Sequence, residues 1–184
     1  MIKLYGGPRT RGTLVQWYLE ELGVPYELIA VDIQGQEHKK PDYLAIHPMG
    51  KVPALVDGDF TIWESGAILM YLALQYGNAQ GSVQEIAQMN QWVVFANASL
   101  GPGVFIEASR DRALADFMPP LNQRLQAQPF LLGDRLTVAD VAVGSLLFYM
   151  PVMLKLDLSE YPAVTEYIQR LSERPAFQNT LGKR

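Results

Sequence analysis

The chain has 184 residues, 49% apolar and 18% charged, enough material for two small packed units or one larger one. Its net charge of −4 comes without a basic stripe, which argues against nucleic-acid binding, and no apolar run approaches the roughly 20 residues of a membrane helix. Cysteine is absent and only two histidines occur, so no reaction can pass through a protein thiolate, no Cys/His zinc site can form, and a metal-free site is expected.

The N-terminus carries no signal-type apolar core, and a cytoplasmic location is the expectation. Ile2 to Tyr5 reads as a short strand stopped by Gly6-Gly7-Pro8. From Leu14 to Leu22 the apolar residues Leu14, Trp17, Tyr18 and Leu22 share a helical stripe, which Gly23 ends and Pro25 keeps from resuming. Residues 26 to 32 form a second strand, and Pro41 to Ile46 a short irregular helix. Pro53 has no N–H to give and belongs at the mouth or bend of a strand, leaving the backbone N–H and C=O of Val52 free for a ligand. Asp57-Gly58, between Ala54 to Val56 and Phe60 to Trp63, is a hairpin-turn signal, so this pair of strands is antiparallel. Ser65 then opens a helix with Ile68, Leu69, Leu72 and Ala73 on its apolar face. Its hydroxyl and the neighbouring amides suit a carboxylate, or serve as a plain cap.

Gly77 to Ser82 is small and polar and reads as a linker. Ser82-Val83-Gln84-Glu85 has the capping-box pattern, starting a helix with Ile86, Met89, Asn90 and Val93 on one face and Trp92 and Phe95 on an adjoining one. Gly101-Pro102-Gly103 should end it. A further helix is expected from Ser109 to Gln128, kinked or divided by Pro119-Pro120. Thr137 is placed as an N-cap with Asp140 at the third helical position, and the apolar run Val141 to Met150 predicts a central buried helix. Pro162 and Pro175 mark two short final helices. The expected organisation is α/β: an N-terminal thioredoxin-like unit over residues 1–76, a linker over 77–82, and an all-helical unit over 83–184.

Three segments resemble the cytosolic glutathione transferases: the first strand and helix ending Leu19-Glu20-Glu21-Leu22-Gly23-Val24-Pro25-Tyr26-Glu27, the block from Gly35 to Leu69 containing Lys51-Val52-Pro53 and Trp63-Glu64-Ser65-Gly66, and Gly133 to Asp140. The resemblance implies a cis Val52-Pro53 bond and a glutathione site. In it, His38 and Lys51 take the glycine end, Val52 pairs its backbone with the cysteinyl unit beside Pro53, and Glu64 and Ser65 hold the γ-glutamyl amine and carboxylate. Taken alone, His38 and Lys51 read equally well as surface side chains. His47, where the family commonly has asparagine, reads as structural.

The family's thiol-activating residue is a tyrosine or serine near the end of strand one and the start of helix one; in Tyr5-Gly6-Gly7-Pro8-Arg9-Thr10-Arg11-Gly12-Thr13 the expected serine is missing, and Tyr5 points toward the tyrosine classes. Thr10 is the leading hydroxyl donor, on equal terms with a plain capping role, and Arg11 the leading electrostatic partner. Thr13 and Arg9 stand in reserve, and Tyr5 reads more readily as packing. The implied activity is conjugation of the thiolate of glutathione, the co-substrate, to small hydrophobic electrophiles in detoxification. The acceptor would be lined by Trp92, Phe95, Val104 and Phe105, although an aromatic stripe at that spacing more often forms core. The chain stops soon after Arg174-Pro175-Ala176-Phe177, which implies an uncovered acceptor site. A non-catalytic glutathione-binding module and a glutathione-dependent isomerase or dehalogenase remain as alternatives. The family implies a homodimer, with Phe60, Met70 and Tyr71 as contributors.

Overall fold

The computed structural model describes residues 1–8, 10–77 and 81–183. Strand β1 (Ile2–Gly6) buries Ile2 and Leu4 and lies at the centre of a four-stranded sheet. It pairs in parallel with β2 (Tyr26–Ala30) and antiparallel with β3 (Ala54–Asp57), which pairs antiparallel with β4 (Phe60–Trp63), giving the order β2-β1-β3-β4. A parallel pair followed by a hairpin is the expected thioredoxin-like arrangement. The hairpin turn falls one residue later than Asp57-Gly58: Asp57 pairs with Phe60, leaving Gly58-Asp59 as the loop, with Gly58 at φ 60°. Asp57 is kept in the strand by its carboxylate, which accepts hydrogen bonds from the hydroxyls of Tyr71 (2.7 Å) and Tyr76.

Helix α1 (Gly12–Leu22) is closed by left-handed Gly23, a 3₁₀ turn (Glu37–Lys39) leads into α2 (Pro41–Leu44), and α3 (Ser65–Gln75) buries Ile68, Leu69, Leu72 and Ala73 as the spacing predicted. Of the expected linker, Asn78, Ala79 and Gln80 lie outside the described residues. Helix α4 (Val83–Phe95) starts on the anticipated capping box: Ser82 Oγ accepts from the Glu85 N–H at 3.3 Å, and Glu85 Oε2 accepts from the Ser82 N–H at 2.6 Å.

Two proline-containing stretches bear on where the helices break. Gly101-Pro102-Gly103 does not stop the chain's helical course; a π-helical turn (Ala96–Leu100) carries it into α5 (Gly101–Phe105). Pro102 falls in the first turn of α5, where a missing N–H is tolerated. Pro119-Pro120 does not divide the next helix either, and α6 runs from Glu107 to Ala127. The carbonyls four residues back, on Ala115 and Asp116, belong to exposed positions that water can reach, while buried Met118, Leu121 and Leu125 hold the helix against the core.

Helix α7 (Val138–Met153) is buried along most of its length, as its apolar sequence predicted, and is followed by α8 (Pro162–Ser172) and α9 (Pro175–Asn179). Helix α1 contacts α7 and α9, and α3 contacts α4 and α7. One continuous apolar core therefore runs from Ile2 and Leu4 through Trp17 and Leu72 to Leu147 and Phe177.

Candidate functional site

The C-terminal end of β1, the start of α1, the segment entering β3 and the start of α3 all belong to the sheet unit, and each carries sequence-predicted site residues. After β1, the chain turns so that the Thr10 backbone N–H reaches the Gly7 carbonyl at 3.3 Å. The Thr10 hydroxyl donates to the same carbonyl at 2.8 Å and accepts from the Gly12 N–H at 3.1 Å, thereby satisfying one of the free amides at the start of α1. Arg11 is the N-cap residue, so Thr10 stands one position outside the cap. Thr13 donates its hydroxyl to the Thr10 carbonyl at 2.9 Å. Both threonine protons are thus engaged with backbone. Tyr5 lies in β1, edge-on to Tyr43 at 6.1 Å, a packing role. Arg9 lies outside the described residues.

The second wall is the approach to β3. Gly50 sits at φ 56°, and a Cβ there would come within 2.7 Å of the His38 carbonyl and 2.9 Å of Lys39 Nζ. Only glycine fits this backbone and this space. The close approach brings the His38 turn beside Lys51, and Lys39 Nζ donates to the Gly50 carbonyl at 2.9 Å. The Lys51 carbonyl accepts from the Tyr43 hydroxyl at 2.6 Å, while its side chain is exposed. The Val52–Pro53 peptide bond is cis, and Pro53 is buried.

At the third wall, Glu64 holds φ 69°, a left-handed value rare outside glycine and costing on the order of 1–3 kcal/mol, the kind of strain that clusters at ligand sites. Glu64 is the N-cap of α3 and Ser65 its first residue, so Ser65 is buried within the helix start and does not act as the cap. Behind this corner, His47 is buried between Trp63 (ring centroids 4.9 Å apart) and Tyr43 (6.4 Å), its Nδ1 without a hydrogen-bond partner. Burial lowers its pKa, with the charge of Glu64 opposing.

The structure brings Arg11 into the electrostatic reach of Glu64, and burial lowers the pKa of its guanidinium while Glu64 raises it. Two participants escaped the sequence reading. Lys39 was passed over for its neighbours His38 and Lys51. Asn97, which accepts a hydrogen bond from Arg11 Nη2 through Oδ1, is 86 positions away in the chain and had no local signal.

Of the four residues expected to line an acceptor pocket, Trp92 and Phe95 border a cavity of about 590 Å³ with Phe117, Pro120 and Leu121, and Arg124 lies over the Trp92 ring at 5.4 Å. None of the residues placed around glutathione lines that cavity. Val104 is fully buried and serves the core. Among the described residues, no group of three or more His, Asp or Glu is arranged to hold a metal ion, and no helix is long and apolar enough to cross a membrane.

Comparison with known proteins agrees with this fold. Residues 1–74 match the model of the glutathione S-transferase N-terminal domain and residues 104–170 that of the C-terminal domain. The chain is 31% identical to the disulfide-bond oxidoreductase YfcG of Escherichia coli, over all of this chain and 95% of the relative, and 33% identical to glutathione S-transferase 1 of Zea mays, over 96% and 94%. A glutathione transferase of Phanerochaete chrysosporium, solved in complex with oxidized glutathione, superposes with a TM-score of 0.84 at 30% identity, covering 99% of this chain and 95% of that one. A glutathione transferase of Burkholderia graminis, solved with two glutathione molecules per subunit, gives 0.84 at 28% identity, covering 99% and 88%. The chain belongs to the cytosolic glutathione S-transferase family.

Proposed function

We propose that this protein is a cytoplasmic, homodimeric glutathione transferase that conjugates the thiolate of bound glutathione to small hydrophobic electrophiles, a detoxifying reaction. Residues 1–76 form the glutathione-binding unit, 77–82 the linker and 83–184 the helical unit. The observation that carries the reading is that the Val52–Pro53 corner and the strained Glu64-Ser65 helix start flank the paired Ala54 and Trp63 at one end of the sheet, with Arg11 in the electrostatic reach of Glu64.

In this assignment the Val52 backbone pairs with the cysteinyl unit, next to Pro53. Glu64 takes the γ-glutamyl amine, Ser65 and the α3 amides its carboxylate, and His38 and Lys51 the glycine carboxylate. The thiol loses its proton to solvent, and Arg11, with the start of α1, stabilises the sulfur anion; the Thr10 hydroxyl adds a hydrogen bond when its proton swings from the Gly7 carbonyl to the sulfur. The thiolate then attacks the electrophilic carbon. In substitution a halide leaves with the bond electrons; in addition the resulting anion takes a proton from water. Glutathione is consumed as co-substrate and no metal takes part.

A second reading is favoured by the likeness to a disulfide-bond oxidoreductase. Because this chain has no cysteine, such exchange would run between external sulfurs. A bound glutathione thiolate would attack a substrate disulfide and release one thiolate, and a second glutathione would resolve the mixed disulfide to give oxidized glutathione and the second thiol. Turnover of aryl halides, isothiocyanates, organic hydroperoxides and a small disulfide, with calorimetric binding of glutathione, separates the two. Conjugation supports the transferase, reduction of the disulfide alone supports the exchange reading, and binding without turnover points to a non-catalytic module. Absence of binding refutes the glutathione site.

A further inference from the structure

Arg11 is the cation on which the proposed thiolate stabilisation rests, yet no carboxylate is in salt-bridge contact with it: among the described residues, the ion pairs join Arg112 to Asp116 and Arg174 to Glu21. Its side-chain partner is neutral. Arg11 Nη2 donates to Oδ1 of Asn97, which lies in the π-helical turn Ala96–Leu100 between α4 and α5. A π turn inserts one extra residue into a helix and re-aims the side chains around it, which is why such turns gather at functional sites.

The direction in which the Asn97 amide points is fixed by its surroundings. Nδ2 donates to the Val93 carbonyl at 2.8 Å, a group that can only accept, so Oδ1 must be the atom facing the guanidinium. Close packing holds the amide in place: a Cβ on Gly66, in the first turn of α3, would lie 2.9 Å from Asn97 Nδ2 and 3.2 Å from Val93 Cγ1. The starts of α1 and α3 and the π turn therefore meet at this amide. Glu64, just before α3, is the acidic group whose charge Arg11 feels across the gap.

We infer that Asn97 is a positioning residue for the conjugation reaction, orienting the Arg11 guanidinium with a neutral acceptor so that no directly paired carboxylate competes with the sulfur anion for its charge. An aspartate here would have nearly the same shape and would hold Arg11 more strongly. It would also cancel the field that the thiolate needs. The inference rests on the role proposed above for Arg11, and the test separates the two.

The measurement is the apparent pKa of the thiol of bound glutathione, followed by the ultraviolet absorbance of the thiolate, in wild type and in the Arg11→Ala, Asn97→Asp and Asn97→Ala variants, alongside thermal unfolding. Glutathione itself is the probe, so no electrophile need be known. Arg11→Ala and Asn97→Asp are each expected to raise the thiol pKa by about one unit, roughly a tenfold loss of thiolate below it, and Asn97→Ala by less. A purely structural joint would instead lower the melting temperature of both Asn97 variants and leave the titration where it was, and that outcome overturns the inference. If Arg11→Ala itself leaves the titration unmoved, the role of Arg11 falls and the inference with it. A shift in Arg11→Ala with none in Asn97→Asp sinks the inference alone.

Discussion

At Arg11 and Thr10 two kinds of anion stabilisation can be weighed against each other. A cation beside the site acts over several ångströms and is always charged, whereas the Thr10 hydroxyl must first give up its 2.8 Å bond to the Gly7 carbonyl. Arg11→Ala is therefore expected to lower kcat/KM at neutral pH by roughly 10- to 100-fold, with the loss narrowing as pH rises, and Thr10→Val by only a few-fold. A pH series of conjugation rates checks the ranking; a larger effect for Thr10→Val would reverse it. His47 offers a prediction on stability. Stacked between Tyr43 and Trp63 and buried, it has a folded pKa below the unfolded value of about 6.5. The unfolded chain then binds the proton more readily, so the contribution of His47 is present above that value and is lost as pH falls through it. Urea midpoints for wild type and His47→Asn should diverge in pH dependence below about pH 6.5, with the variant the flatter of the two.

Among the elements, α7 has the most exacting start. Asp140 is fully buried, and its two oxygens accept four hydrogen bonds: from the Leu131 N–H (2.8 Å), the Tyr167 hydroxyl (2.9 Å), the Thr137 N–H (2.8 Å) and the Thr137 hydroxyl (3.0 Å). Burial raises its pKa, and those donors pull it back only in part. Asp140→Ala strands two buried donors, on Leu131 and Tyr167, at about 1–3 kcal/mol each, so a loss of roughly 2–6 kcal/mol is expected in urea unfolding; Tyr167→Phe, which removes one donor, should cost about 1 kcal/mol. This helix start was legible because Thr137 and Asp140 satisfy each other within one turn. The capping box at Ser82 and the hairpin at Gly58 were legible for the same reason: their partners are a few residues apart. Gly101-Pro102-Gly103 misled because the outcome there is settled by distant packing, and at Pro119-Pro120 the choice between a kinked and a divided helix turns on distant packing and on solvent access to the freed carbonyls. Likewise the Glu64-Ser65 start could be seen in the chain, whereas Asn97 reaches Arg11 only because a π turn re-aims one side chain across the molecule.

Across the whole molecule, the sheet and the helices share their core. Trp17 of α1 packs edge-on against Phe177 of α9 at 5.0 Å, and Glu21 receives the Trp17 indole N–H at 2.8 Å and two hydrogen bonds from Arg174 at 2.7 Å each. A fork of this kind between α1 and the last helix leaves little reason for either part to unfold alone, so fluorescence and circular dichroism should report one coincident urea transition. The sheet also has an open side, and it bears on assembly. β4 is an edge strand; Phe60 on it is 46% exposed and lies on the Tyr71 ring at 4.8 Å, with half-buried Met70 next to Tyr71 on α3. An aromatic pair on an unpaired edge is a liability in a monomer and an asset in a two-fold interface, where each copy covers the other. Light scattering at micromolar concentration should give twice the 20.6 kDa chain mass, and Phe60→Asp should shift it toward the monomer while the circular dichroism spectrum holds. A wild-type monomer at that concentration would refute the homodimer, and a Phe60→Asp dimer of unchanged stability would move the interface away from β4.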